Sequence, residues 1–483
     1  MGMVTIKVGF VPSYRFRCTP WCRKMRADSM AAFARVTGLE VVAPEPSPDG
    51  VTVDAQKGCT PDGMVANLDQ AEAVADYFAA RKVDALILCP LDFGDERSAA
   101  KVAERLRVPV LLFATREPPA PDEPGLGRVS DSYCGTLSTA SALYRRKITF
   151  HYAGIFLPDE PAFREEVVTF AAAVAVVKGL RGARIGQIGV RPESFETVGY
   201  DEGALARKFG QNVIYAELAD LVRSAQGFAD DDPRVRTAIA DVRGSVAQVT
   251  VSSHHIIDSA KLQVALVEFS ARARLSAMAV QCWPSIQAQM GISLCALFGR
   301  LTAQGLVTAC EADVLGALAM LVSYQSTMGT SVPHFIDWTI QHRERPDWLL
   351  AWHCGNAPSC LAADPARTAL RSRSDMKGTL PIVERDPNAG LAQFQVKPGR
   401  VTFCRLAEYD GEWKMLIAAG EIVPSQETLA GTWAWVQVKD HGRLYRTLVE
   451  EGFIHHASMI HGDQRSALLM ACKFLEIAPV VVD

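Results

Sequence analysis

What the chain lacks narrows its reading first. No apolar run approaches the roughly 18 residues needed to span a bilayer. The longest, near Val167–Val177, is interrupted by Thr169 and reads as a buried helix. The opening Met1-Gly2-Met3-Val4 enters a strand-like run with no basic stretch and apolar segment before it, so a secretion signal is not expected. Blocks of basic residues and basic–aromatic interleaving are missing, and the net charge is −4. That excludes a nucleic-acid groove as the expectation. No GxGxxG fingerprint or Walker A loop occurs, so no nucleotide cofactor is expected. The twelve cysteines lack paired spacing, apart from Cys18 and Cys22 in CTPWC, a C-x3-C with no second pair. Cys89, Cys295, Cys310 and Cys472 stand in apolar contexts, where the thiol packs as a small hydrophobe. Reduced cysteines in a cytoplasmic protein are the expectation.

What is present is an ordinary globular balance: 49% hydrophobic and 22% charged over 483 residues. Residues 1–160 alternate apolar strands and amphipathic helices: strand Thr5–Val11, helix Met25–Thr37, strand Val41–Ala43, helix Asn67–Arg81, strand Asp84–Cys89, helix Glu96–Leu106 and strand Val108–Ala114. Continuous apolar strands separated by such helices predict βαβ units and a parallel sheet. Pro118–Gly127 is a Pro/Gly-rich loop. Residues 161–328 repeat the alternation, with strands at Arg184–Val190, Val213–Ala216, Met278–Cys282 and Leu306–Cys310, and helices at Asp201–Phe209, Arg234–Val246, Gly291–Ala303 and Ala312–Val322. From 329 to 483 short strands dominate: Val401–Leu406, Trp413–Glu421 and Thr432–Lys439, the first two joined by the hairpin signal Asp410-Gly411. A helix over Asp463–Leu475 closes the chain. The expected architecture is two Rossmann-like α/β domains with parallel sheets, followed by a C-terminal β-rich, barrel-like domain.

Several polar residues stand where strand-like runs end. Glu311 follows Leu306–Cys310, Asp337 follows Val332–Ile336, His353 follows Leu349–Trp352, and His455 and His456 follow Gly452–Ile454. Strand ends are where α/β sheets gather ligands. Two carboxylates with imidazole nitrogen suit a hard or borderline divalent ion such as Mn2+, Mg2+ or Co2+, or serve as acid and base. Each also has a structural reading: Glu311 as a carboxylate at a helix N-terminus, Asp337 as a turn or cap residue, a histidine beside tryptophan as a core side chain.

The stretches AVQCWPSIQAQMGISLCALFGRLTAQGLVTACEADVLGALAML, PHFIDW, WHCGNAP and GFIHHASMIHGD follow one another in that order, and RIGQIGVRPESFETVGYDEGAL lies upstream. Together they resemble the L-fucose isomerase / L-arabinose isomerase superfamily, in particular its isomerase-like members. The resemblance covers most of the chain and is strongest from about Arg184 onward. It implies two α/β domains and a β-rich C-terminal domain carrying Asp337, His353 and His456, with Glu311 in the second α/β domain. It also implies a homo-oligomer, a trimer or hexamer, with active sites at subunit junctions. Glu311 matches the family's first metal-binding carboxylate, Asp337 the second, His456 the C-terminal histidine ligand, and His353 a further histidine used by the arabinose-isomerase branch. Manganese is the usual ion.

The activity implied is a metal-dependent aldose–ketose isomerisation of a sugar through an enediol, with Glu311 and Asp337 exchanging protons. The alternatives are an isomerase or epimerase of a sulfonated, phosphorylated or carboxylated sugar, and a non-catalytic carbohydrate-binding protein. Gln281 and Trp283 are candidates for the sugar pocket, and Arg15 and Arg17 for an anionic substituent, because the guanidinium fork matches such groups. His254 and His255 form a second histidine pair, read as structural.

Overall fold

The computed structural model describes residues 2–117, 129–375, 377 and 379–482. The Pro118–Gly127 loop therefore lies outside the described residues. Contacts divide the chain into two compact units, one of residues 3–178 with 473–476, the other of residues 179–472 with short terminal pieces.

The first unit holds a five-stranded, all-parallel sheet, in the order Leu39–Val42, Ile6–Ser13, Ala85–Pro90, Val110–Thr115, Phe150–Phe156. Every residue of Ala85–Pro90 and Val110–Thr115 is buried, as a sheet covered by helices on both faces requires. The helices begin where capping chemistry dictates. Thr19 caps Pro20–Phe33 with proline at the first position, so CTPWC is a helix start, and Cys22 Sγ accepts a hydrogen bond from Thr19 Oγ1 at 3.2 Å. Asn67 caps Leu68–Arg81 by accepting from Gln70 N. Phe33, Phe113 and Phe163 pack with centroids 4.6–5.9 Å apart in the core. None of the twelve cysteines is paired.

The second unit opens with a four-stranded parallel sheet, in the order Thr308–Cys310, Ala277–Val280, Arg184–Ile188, Asn212–Ala216. Numbered along the chain that order is 4-3-1-2, so connections diverge between Arg184–Ile188 and Ala277–Val280. Such a switch point leaves a crevice at the carboxyl ends of the two strands.

A ten-stranded, mostly antiparallel sheet follows. Six of its strands close into a ring: Thr432–Gln437, Trp348–His353, His334–Gln341, His456–His461, Gly399–Tyr409 and Glu412–Ile422, which pairs back onto Thr432–Gln437. All six pairings are antiparallel. The fold is thus α/β with parallel sheets and a large β-rich C-terminal part. Among the described residues no helix is long and apolar enough to cross a membrane.

Candidate active site and cation centre

Glu311 leaves the strand Thr308–Cys310 with φ +62°, and Ala312 follows at +54°. Non-glycine residues in this left-handed region cost about 1–2 kcal/mol each. The strained pair turns the chain, so the helix begins at Val314 rather than Ala312. Asp313, not Glu311, is its cap, accepting from Gly316 N at 2.8 Å. Glu311 is left free to point elsewhere. Its Oε1 accepts from Trp283 Nε1 at 3.0 Å, and its Oε2 lies 2.8 Å from His456 Nε2.

Asp337 sits inside its strand, His334–Gln341, rather than after it. His456 opens the strand His456–His461, and Gly452–Ile454 forms no strand. Asp337 and His456 are direct antiparallel partners, which puts their side chains on one face; Asp337 Oδ1 is 3.6 Å from His456 Nε2. His353 ends the strand Trp348–His353, and its ring lies 6.3 Å from that of His456. Phe335 packs under both imidazoles, at 4.7 Å from His456 and 5.4 Å from His353. Structure thus brings Glu311, Asp337, His353 and His456 together from segments up to 145 positions apart.

Four buried polar atoms here have no hydrogen-bond partner: Glu311 Oε2, Asp337 Oδ1, His353 Nε2 and His456 Nε2. The Glu311–His456 contact is short enough for an ion pair but lacks hydrogen-bond geometry. Orphaned buried polar atoms are costly, and four in one place mark a position for a ligand. Donor atoms of Glu311, His353 and His456 lie within 4.8 Å of one another, as do those of Asp337, His455 and His456. Ligands about 2.0–2.3 Å from one cation have such separations. The mixed oxygen and nitrogen set fits a divalent ion.

The electrostatics agree. Burial pushes the Glu311 carboxyl up, but the His456 contact and the charges of His353 and His456 overcome this and hold it down at about 2. Burial opposes a proton on His456, yet its contacts with Asp313 and Glu311 raise it to about 9. Burial likewise works against a charged His353, and the charge of Asp337 more than offsets it. His353 Nδ1 accepts from the Cys354 amide at 2.9 Å. In the neutral ring that places the proton on Nε2, facing the site.

Of the other candidates, Trp283 reaches the site through its bond to Glu311, and Phe195 stands edge-on to it at 5.6 Å and to His455 at 5.4 Å. Gln281 is buried and spans the switch point, accepting from Val190 N at 3.2 Å and donating to Ser285 Oγ at 3.1 Å. It shapes the two loops that deliver Phe195 and Trp283. Arg15 and Arg17 belong to the first unit. Arg15 lies 3.4 Å from Glu96 and stacks over Phe93 at 4.0 Å, while Arg17 is exposed. His254 pairs with Asp258 one turn on, at 3.0 Å. His255 is buried, and burial drives its ring down to about 3. Sequence reasoning missed Asp313, Arg405 and Phe195. Only Asp313 left a signal, as an acidic residue opening an apolar helix.

A buried carboxylate–imidazole cluster at the carboxyl end of a parallel strand in an α/β fold is the setting of a candidate enzyme centre, and the comparisons narrow its class. Residues 24–181 match the family model described as fucose/sulfoquinovose isomerase, N-terminal domain, and residues 351–482 match L-fucose isomerase, C-terminal domain. The chain belongs to the L-fucose isomerase family. It is 29% identical over 387 residues to a sulfoquinovose isomerase of Alkalicoccus urumqiensis, covering 79% of this chain and 82% of the relative. It is 24% identical to one of a Clostridium species, covering 88% and 91%. Among solved structures, a periplasmic solute-binding protein of Actinobacillus succinogenes with bound D-allose aligns over 67% of this chain and 92% of its own, at 10% identity and a TM-score of 0.18. A likeness that slight carries no argument.

Proposed function

We propose that this protein is an aldose–ketose isomerase of a sulfonated sugar, sulfoquinovose being the substrate named for its relatives, and that it works with a divalent cation, manganese in our reading. The observation that carries the proposal is the set of four unpartnered donor atoms converging between two carboxylates and two imidazoles.

Isomerisation moves a proton between C1 and C2 of the sugar and shifts charge between O1 and O2. Glu311, Asp337 and His456 would hold the cation, which when bound supplies a Lewis acid for the two sugar oxygens. Glu311 and Asp337 flank His456 Nε2 and are assigned the proton transfers, one taking the carbon-bound proton while the other serves the hydroxyl. The bond from Trp283 pins Glu311 Oε1 and aims Oε2 inward. His353, whose Nδ1 is engaged by backbone, is assigned a donor role toward a substrate oxygen. Phe195 and Trp283 form an aromatic wall suited to the C–H face of a sugar. The second carboxylate favours proton transfer through an enediol over a hydride shift.

The test is turnover of sulfoquinovose with Mn2+, followed by NMR, against glucose 6-phosphate, L-fucose and L-arabinose. Conversion of the sulfonated aldose to its ketose is expected. Glu311→Gln and Asp337→Asn should each lower kcat by on the order of 10²–10⁴ with the fold intact. Near-normal rates in either folded variant would remove that residue from the mechanism.

A further inference from the structure

Beneath the candidate ligands lies a buried ion pair that the proposed chemistry does not use. Arg405, on the strand Gly399–Tyr409, donates to Asp313 through both terminal nitrogens, Nη1 to Oδ2 at 2.6 Å and Nη2 to Oδ1 at 3.1 Å. The side chains are 3% and 0% exposed. Asp313 Oδ2 also lies 2.8 Å from His456 Nδ1, and Oδ1 accepts from Gly316 N. We infer that Asp313 and Arg405 are positioning residues that fix the tautomer and the plane of His456 for cation binding. This rests on the reading of His456 as a ligand.

Four contacts fill the roughly four lone-pair sites of the Asp313 carboxylate. The bidentate fork sets the plane of that carboxylate, and the helix cap fixes its position along the chain. A carboxylate so held by arginine stays ionised and only accepts. His456 Nδ1 therefore keeps its proton, and Nε2 is the nitrogen turned toward Glu311 and Asp337. Phe335 at 4.7 Å and His455 at 4.1 Å pack against the ring, which leaves it little freedom to rotate. Stability alone is a poor account of the pair, because buried ion pairs are often replaceable by neutral groups at no loss. Orienting a histidine ligand through its second nitrogen is what a carboxylate in this place does, and losing such a partner typically weakens metal affinity about 10–100-fold.

The experiment compares Mn2+ binding by calorimetry in chelator-stripped wild type, Asp313→Asn, Arg405→Lys, the double variant Asp313→Asn/Arg405→Gln, and His456→Ala. The melting temperature of each metal-free protein is measured alongside. The double variant leaves no buried charge unpaired, so it separates folding from positioning. Expected are a metal-free melting temperature near wild type for the double variant, and affinity about 10–100-fold weaker. Arg405→Lys keeps the charge but loses the fork, and should fall between the two. A folded double variant or a folded Arg405→Lys that binds Mn2+ as tightly as wild type overturns the inference while leaving the ligand reading in place. Undiminished binding by His456→Ala overturns the ligand reading itself, and the inference with it.

Discussion

Each histidine at the centre has one nitrogen fixed by the protein, and the two fixings differ. His456 gives its Nδ1 to a carboxylate, whereas His353 receives a backbone amide on Nδ1. The first leaves Nε2 free to ligate once its proton departs; the second keeps a proton on Nε2 of the neutral ring. His456→Asn should therefore lose Mn2+ affinity by more than about 100-fold, while His353→Asn stays within about tenfold of wild type and loses kcat instead. Calorimetry on the two stripped variants decides this, and equal losses of affinity would make His353 a ligand. The pH dependence has a definite sign. His456 is raised to about 9 without a cation, so at neutral pH the cation must expel a proton. Affinity should climb by up to about tenfold per pH unit as pH rises toward about 9 and level off above it. In the cation-free protein the same raised group stabilises the fold fully below its unfolded value near 6.5, and that contribution is lost as pH rises through about 9. A flat binding profile between pH 6 and 9 would contradict a protonated His456.

At the scale of elements, the site depends on one turn and one helix start. Glycine inside a helix usually costs about 0.5–1 kcal/mol relative to alanine, so Gly316, in the first turn of Val314–Ser326, looks replaceable. A Cβ there would meet Asp313 Oδ2 and Phe335 Cε2, each at 2.6 Å. Those are the carboxylate that holds His456 and the ring packed beneath it. Gly316→Ala should thus destabilise by on the order of 1–3 kcal/mol and weaken Mn2+ binding together, as thermal melts and calorimetry would report. A more stable variant with intact affinity would show that the helix start has slack. This scale is also where the sequence was least legible. The alternation of strands and helices could be read because buried parallel strands are continuous apolar runs. Asp337 and His456 were displaced by a few residues, because a half-polar antiparallel strand such as HFIDWTIQ does not announce its limits. The long helix Ser253–Ala273 went unassigned, since its eleven buried residues mix apolar side chains with His255, Ser259, Gln263 and Ser270 and form no clean apolar stripe.

Across the whole second unit, the four candidate side chains arise from the end of a parallel sheet and from three neighbouring strands of a closed antiparallel ring. Asp313 could be read from the sequence only as the start of a helix; its partners Arg405 and His456 are 92 and 143 positions away, and no spacing rule reaches that far. A cation bound in a site assembled this way would clamp sheet and ring together. Ligand binding stabilises by about 2.7 kcal/mol at a hundred times Kd, and that gain falls on whatever must stay together for the ligands to converge. Hydrogen exchange should therefore slow on adding Mn2+ in Thr308–Cys310, His334–Gln341 and His456–His461, which carry or lead into the three ligands. The helix Pro233–Gly244 in the same unit, which supplies no donor, should change far less. Slowing spread evenly over both would mean that added Mn2+ acts on global stability and not through the junction. No slowing in the three strands would mean that they do not share an ion at all.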